Sequence, residues 1–351
     1  MSKNENTAPA SKQSFLKRKN IEISVKRYLI DAMGTMALGL FASLLIGTIL
    51  NTLGTKLNIP FLSETLWPIA KDMTGAAIGV AVAYGLQAPP LVLFASTITG
   101  AAGNALGGPA GAFVAAVLGA ELGKIVSKET KLDIIVTPAV TIIVGVLVGT
   151  AIGPAVNGFM TATGELIMYA TTLQPFLMGI IVSVIVGMVL TLPVSSAALC
   201  MMLSLGGIAG GAAVAGCCAQ MVGFAVMSFK ENGWGGLVAQ GLGTSMLQVP
   251  NIVKNWKVWI PPTLVSAITG PMSTILFKME CTPMGAGMGT SGFVGQFGTI
   301  EAMEAAGKGG AMMWVGILVL HILVPAVLTP IVANVMRKMG WIKEGDLKLS
   351  L

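Results

Sequence analysis

Residues 166–229 read LIMYATTLQPFLMGIIVSVIVGMVLTLPVSSAALCMMLSLGGIAGGAAVAGCCAQMVGFAVMSF, 64 positions without an Asp, Glu, Lys or Arg. A second uncharged run covers residues 73–120, another 48 positions. A bilayer-spanning helix needs about 20 apolar residues, and a charge at bilayer depth is costly. The longer run therefore holds two or three spans and the shorter one two. The chain is an integral membrane protein.

The rest of the composition agrees. The chain is 54% hydrophobic and 10% charged, with a mean hydropathy of +0.82. Soluble domains carry about 25% charged residues. Its 45 glycines suit helices that pack backbone to backbone. At 351 residues the chain has room for about ten spans and no sizeable soluble domain. The net charge of +6 sits mostly at the ends. Residues 1–27 carry Lys3, Lys12, Lys17, Arg18, Lys19, Lys26 and Arg27 against Glu5 and Glu22, and the last stretch carries Arg337, Lys338, Lys343 and Lys348 against Glu344 and Asp346. Positive flanks prefer the cytoplasm, so both termini are expected inside and the span number even. The basic arm suits anionic lipid headgroups better than nucleic acid. No cleavable leader is read ahead of the first apolar run near Tyr28. The expected organisation is a basic cytoplasmic arm (1–27), a transmembrane body (28–340) and a cytoplasmic tail (341–351).

Spans are expected at about 28–53, 73–88, 89–106, 107–126, 134–157, 176–192, 194–210, 211–229, 257–278 and 310–336, with 158–173 along an interface. Two Gly-rich strings interrupt this pattern: GWGGLVAQGLGTSMLQVP (233–250) and TPMGAGMGTSGFVGQFG (282–298). Glycine exposes backbone, and Ser and Thr compete for helical hydrogen bonds. Irregular backbone at membrane depth is tolerated only where protein buries it or a cavity faces it, and carriers use such segments to meet their substrates. Both strings are read as re-entrant or broken helices, the alternative being a tightly packed helix pair. A weak internal repeat relates GNALGGPAGA followed by IVSKETKLDIIVTP to GWGGLVAQGLG followed by IVKNWKVWIPP.

Polar residues near these strings are the binding candidates. Glu280 abuts the second string and suits two solute hydroxyls or a coupling proton; an interfacial pair with Lys278 is the plainer alternative. Asn104, Gln240, Gln248, Thr282, Thr290, Ser291 and Gln296 offer amides and hydroxyls that read a hydroxylated solute without a buried charge. Each serves equally well as interhelical glue. Glu121 lies one turn from Lys124 and reads as a structural pair, Asp133 as a cap or a ligand. His321, the single His, reads as a packing residue. Cys200, Cys217, Cys218 and Cys281 lack metal-ligand spacing and read as small hydrophobes. No cofactor or metal is expected. The P-loop pattern of an ATPase and zinc spacing are missing, so no catalytic centre is read.

The strings TPMGAGMGTSGFVGQ, GNALGGPAGAFVAAVLGAELGK and DIIVTP resemble those of the membrane enzyme IIC component of the sugar phosphotransferase system. More closely they resemble its stand-alone relatives described as toxin regulators, the perfringolysin regulator type. The resemblance covers residues 28–340. It implies an all-helical, homodimeric carrier in the bacterial cytoplasmic membrane, with re-entrant hairpins and an elevator-like or rocking movement. It also implies separate cytoplasmic phosphocarrier proteins, since no fused carrier domain is read here. In sugar carriers of this kind a carboxylate beside a Gly-rich hairpin contacts the sugar. Glu280 is the nearest counterpart, although its surrounding string departs from the usual sugar-carrier motif. The expected function is movement of a sugar or other small polar solute, with ligand-sensing regulation of gene expression as the alternative.

Overall fold

The computed structural model describes residues 15–171 and 173–349, and most of the basic arm, residues 1–14, lies outside them. The described residues are helical, apart from a single bridge between Gly207 and Cys281. Among them six helices are long and apolar enough to cross a bilayer, with two shorter apolar helices beside them. We number the principal helices α1 (Lys26–Thr55), α2 (Thr74–Gly85), α3 (Pro90–Val126), α4 (Asp133–Thr171), α5 (Pro175–Thr191), α6 (Gly207–Met227), α7 (Trp256–Phe277), α8 (Val294–Ala305) and α9 (Ala311–Lys338).

The first half of the chain is built from α1 to α4. The expected spans 89–106 and 107–126 are the two arms of one bent element. Backbone turns at Gly107 (φ −148°) and Gly108 (φ 60°, ψ −158°), the second a conformation that glycine adopts without penalty. The arms fold back on each other: a Cβ at Gly103 would sit 2.8 Å from the Ala115 Cβ, and one at Gly123 would sit 3.1 Å from Val92. Helix α4 packs on this hairpin through Gly145 at Thr99, Gly149 at Gly103 and Gly153 at Leu106. It does not stop at 157 as expected. It runs on as one helix of 39 residues, about 58 Å by helical rise. Its far end carries buried Ile167 and Ala170 into the core of the second half.

The second half is organised around α6, whose 21 residues reach about 32 Å and match a bilayer core. Its apolar face is continuous around the helix, and almost every residue from Gly210 to Met227 is buried. Close approach is made by small residues. A Cβ at Gly187 would meet the Gly216 carbonyl oxygen at 2.8 Å, and one at Gly179 would meet Pro271 at 2.8 Å. Hydroxyls bind the same crossings: Ser183 donates to the Ser266 carbonyl (2.7 Å) and Ser266 to that of Gly216 (3.1 Å). Such interhelical bonds contribute about 0.6 kcal/mol each in a membrane.

These contacts also fix direction. Both α5 and α6 run antiparallel to α7, so they are parallel to each other. Thr191, at the end of α5, meets Gln220 well inside α6. The link 192–206 must therefore double back by about 20 Å before α6 begins. The expected span 194–210 is not present for this reason. In its place Pro193 and the extended Leu192 end α5, Ser195 caps the short helix Ser196–Met202, and Ser204 and Gly207 take positive φ.

The described end of the basic arm and the tail lie at one end of the bundle. Lys19 donates to the Ser127 carbonyl (2.5 Å) and Asn20 to Gln87 (2.8 Å). The tail 341–349 is packed rather than free: Ile342 and Leu347 are buried against Phe224, Met227 and Val258. Arg337 pairs with Glu231 at 3.1 Å, and Asn232 donates to the Leu347 carbonyl at 2.8 Å.

Candidate functional site

The two Gly-rich strings form two re-entrant hairpins that enter from opposite ends of α6. The first begins after Ser228, where α6 ends. Gly233 (φ 58°, ψ −156°) breaks its inward arm, and a wide turn over Ala239–Gly243 leads to the extended Thr244 (φ −158°, ψ 143°). It returns through Ser245–Gln248 and Val249–Lys254 until Ile252 and Val258 rejoin Phe224 and Met227. The second begins where Lys278 takes the left-handed conformation (φ 46°) and stops α7. Met279 and Cys281 run beside the start of α6, where the Cys281 amide donates to the Gly207 carbonyl at 3.2 Å. The short helix Pro283–Ala286, capped by Thr282, leads to a tip at Gly289–Phe293. Helix α8 returns to the entrance, where Glu280 forms an ion pair with Lys308.

The tips meet beside Met221, within the length of α6. Thr290 donates to the Gly241 carbonyl at 2.5 Å and lies 3.6 Å from the Met221 sulfur. Both tips bear on α1 of the first half: a Cβ at Gly292 would lie 3.2 Å from Ile49, and Gly243 abuts the Phe41 ring. The tips thus form one of several contacts between the two halves of the chain.

Around the tips lies a buried polar cluster. Ser291 is buried and its hydroxyl has no hydrogen-bond partner. The Gln296 amide nitrogen lies 3.1 Å from His321 Nδ1 and 3.4 Å from the Cys218 sulfur. Gln296 Oε1 and His321 Nε2 are buried without partners. Buried polar atoms are nearly always paired, so the orphans of the Gln296–His321 pair, with that of Ser291 at the tip, mark unspent hydrogen-bonding capacity.

The sequence-derived candidates separate into three groups. Thr290, Ser291 and Gln296 come together at the second tip. Gln240 and Gln248 are close to the first tip but satisfied by a structural chain. Gln240 donates to Ser228 (2.9 Å), Gln248 to Gln240 (2.8 Å) and to the Leu347 carbonyl (3.1 Å), and Asn251 to Gln248 (2.8 Å). The remaining candidates sit away from the tips. Glu280 closes the neck of the second hairpin with Lys308, not with Lys278 as weighed above. Thr282 accepts from the Gly285 amide at 3.4 Å as a helix cap. Asn104 packs on Gly75 in the first half.

Other readings resolve simply. Glu121 pairs with Lys124 at 2.9 Å, and Asp133 accepts from the Lys128 amide (2.6 Å) and the Thr137 hydroxyl (2.6 Å), bracing the loop 127–132 on the start of α4. The four cysteines are buried and free. Among the described residues no three His, Cys, Asp or Glu stand close enough to hold a metal.

Two residues were undervalued in the sequence. His321 joins the cluster through Gln296, and the signal for it was a lone ionisable residue in mid-span. Gln220 gathers Thr191 (3.3 Å), Trp259 (3.0 Å) and Thr263 (3.2 Å) where Ser245 also arrives. An amide inside the most buried apolar helix was its signal.

Broken segments that enter a helical body from opposite ends and meet within it are the kind of irregular backbone that membrane carriers use to meet their substrates. The chain belongs to the phosphotransferase system EIIC family, whose model matches residues 30–349. It is thus a membrane component of sugar transport. No curated protein and no solved structure matches the chain.

Proposed function

We propose that this chain is a permease that moves a neutral, hydroxylated solute, a sugar by its family, by alternating access. The observation that carries this reading is the hydrogen bond between Thr290 and Gly241, which joins two oppositely inserted hairpins over a cluster of unpaired polar atoms. Ser291, Gln296 and Thr290 are the solute-reading groups, with His321 orienting the Gln296 amide. A solute that supplies two or three hydroxyls would satisfy the orphaned atoms and separate the tips. Glu280 with Lys308 acts as the clasp of the second hairpin. The chain does no chemistry of its own: phosphorylation falls to separate cytoplasmic carriers, and the working unit is a homodimer in the bacterial cytoplasmic membrane. Both termini face the cytoplasm, since the end of the bundle that holds them carries the basic arm and tail.

The test is flux in proteoliposomes across a panel of sugars, sugar acids and nucleosides, with Ser291→Cys read in parallel for solute-protected thiol labelling. Uptake of one class together with protection by that class supports the reading. Neither uptake nor protection across the panel sinks it.

A second reading is favoured by the docking of the basic arm. Lys19 and Asn20 are held on the loops at Ser127 and Gln87, a position from which ligand occupancy could be reported to a cytoplasmic partner. A sensor predicts that deletion of residues 1–24 abolishes the effect on gene expression while ligand binding persists. Unchanged expression after the deletion argues against it.

A further inference from the structure

A cavity of about 280 Å³ opens at the end of the bundle that holds the described end of the basic arm and the tail, and reaches inward to Leu38 and Leu247 below the first hairpin tip. Its walls come from four parts of the chain: Arg27, Asp31 and Thr35 of α1, Gln87 after α2, Asn251 and Lys254 on the return arm of the first hairpin, and Lys348 of the tail. The volume falls at the lower end of small-ligand sites. Three cations face one carboxylate. Among the described residues no carboxylate pairs with Arg27, Lys254 or Lys348, and Asp31 pairs with none of them. Arg27 is 8% exposed; it gives one nitrogen to the Leu86 carbonyl (2.6 Å), while its Nε is buried without a partner. A buried guanidinium with an unfilled donor is costly unless an acceptor arrives. Arginine also presents its donors in a fork that matches tetrahedral oxyanions, and two flexible lysines add point charge.

We propose that this cavity is an anion site for a phosphate group, either free in the cytoplasm or on a lipid headgroup. The phosphate oxygens accept from Arg27 Nε and from the ammonium groups of Lys254 and Lys348. Asp31 opposes a second negative charge and limits affinity. Because α1 belongs to the first half and Lys254 and Lys348 to the second, occupancy ties the halves together at the end opposite the neck of the second hairpin.

The experiment uses the full-length protein in phosphatidylcholine nanodiscs. Thermal unfolding is read with inorganic phosphate, against chloride at matched ionic strength, and separately with phosphatidylglycerol included in the disc. The double variant Lys254→Gln/Lys348→Gln leaves Arg27 and its Leu86 bond in place, so its basal unfolding temperature should hold. We expect wild type to gain roughly 4 °C at saturating ligand, the double variant to gain nothing and Asp31→Asn to gain more. A shift with phosphate alone assigns a soluble ligand, and a shift with phosphatidylglycerol alone assigns a lipid. No shift with either, or the same shift in the double variant, overturns the site. The measurement uses no transported solute, so its result stands apart from that of the flux test.

Discussion

Thr290, at the tip of one hairpin, donates its hydroxyl hydrogen to the Gly241 carbonyl at the tip of the other, over 2.5 Å. The two residues are separated by the return arm of one hairpin, the whole of α7 and the inward arm of the other, and their hairpins enter from opposite ends of α6. Their bond lies against α6 at the level of Met221. Thr290→Val keeps shape and removes the donor. We expect a loss of about 1 kcal/mol in stability and a large loss of solute-dependent flux. Flux equal to wild type would show that tip closure has no part in transport.

The neck of the second hairpin should behave as a pair. Glu280 is largely shielded and Lys308 half exposed, so their ion pair contributes within about 1 kcal/mol. Glu280→Gln and Lys308→Met should each raise the protease sensitivity of residues 304–310, and the double variant should be no worse than either single one. If Glu280→Gln alone abolishes binding while Lys308→Met leaves it intact, Glu280 is a ligand after all.

The amide chain Gln240–Gln248–Asn251 anchors the tail through the carbonyls of Leu347 and Lys348. Gln240→Leu strips Gln248 of its acceptor in a buried place and should cost about 1–3 kcal/mol. Carboxypeptidase release of the tail residues should accelerate in step. A variant that unfolds at the wild-type temperature would mean that water replaces the chain.

Glycines on α6 and on α4 should respond oppositely to alanine. A Cβ at Gly216 falls onto the Ser183 backbone, whereas one at Gly158 meets nothing within 4 Å. Gly216→Ala should destabilise by about 1–3 kcal/mol through overpacking. Gly158→Ala should be neutral or gain up to about 1 kcal/mol from helix propensity. Paired melting curves in one detergent would decide, and equal values would contradict the crossing geometry.

The docked arm should be sensitive to pH. Lys19, hydrogen-bonded to Glu129, holds that carboxyl below its usual range, with Arg18 adding to the effect. A depressed carboxyl adds stability above its ordinary value of about 4.3, and that contribution is lost as pH falls through the lower folded value. The distance between labels at Leu16 and Lys131 should be short at neutral pH and lengthen in acid. Glu129→Gln should lengthen it at every pH. A distance independent of both would remove Glu129 from the docking.

Much of this was legible in the chain. The uncharged runs defined the membrane body, the helix starts expected near 89 and 176 fall at Pro90 and Pro175, and the two Gly-rich strings were visible as segments unfit for lipid. Two span boundaries misled. Residues 194–210 are apolar enough to cross, yet Pro193, Ser195 and Ser204 turn them into a returning link. Residues 158–173 lose hydropathy, yet no local signal ends the helix there.

The family resemblance rested on GNALGGPAGAFVAAVLGAELGK and TPMGAGMGTSGFVGQ, with DIIVTP beside them. In the first string the glycines turn a hairpin of two full arms, with Gly108 at its tip. In the second they let backbone run against backbone, as Gly295 does at the Gly289 carbonyl.

Hydropathy is a local property, summed over about 20 residues, so sequence by itself determined that the chain crosses the membrane and where its backbone resists regular helix. Partnership is not local. On paper Glu280, Gln240 and Gln296 were equally placed as candidates, each a long polar side chain in or beside a Gly-rich string. Only the fold gave the first a lysine, the second a closed chain of amides, and the third an oxygen with no partner. Which polar groups remain free to meet a solute depends on the helices that surround them, and tertiary structure alone decides that.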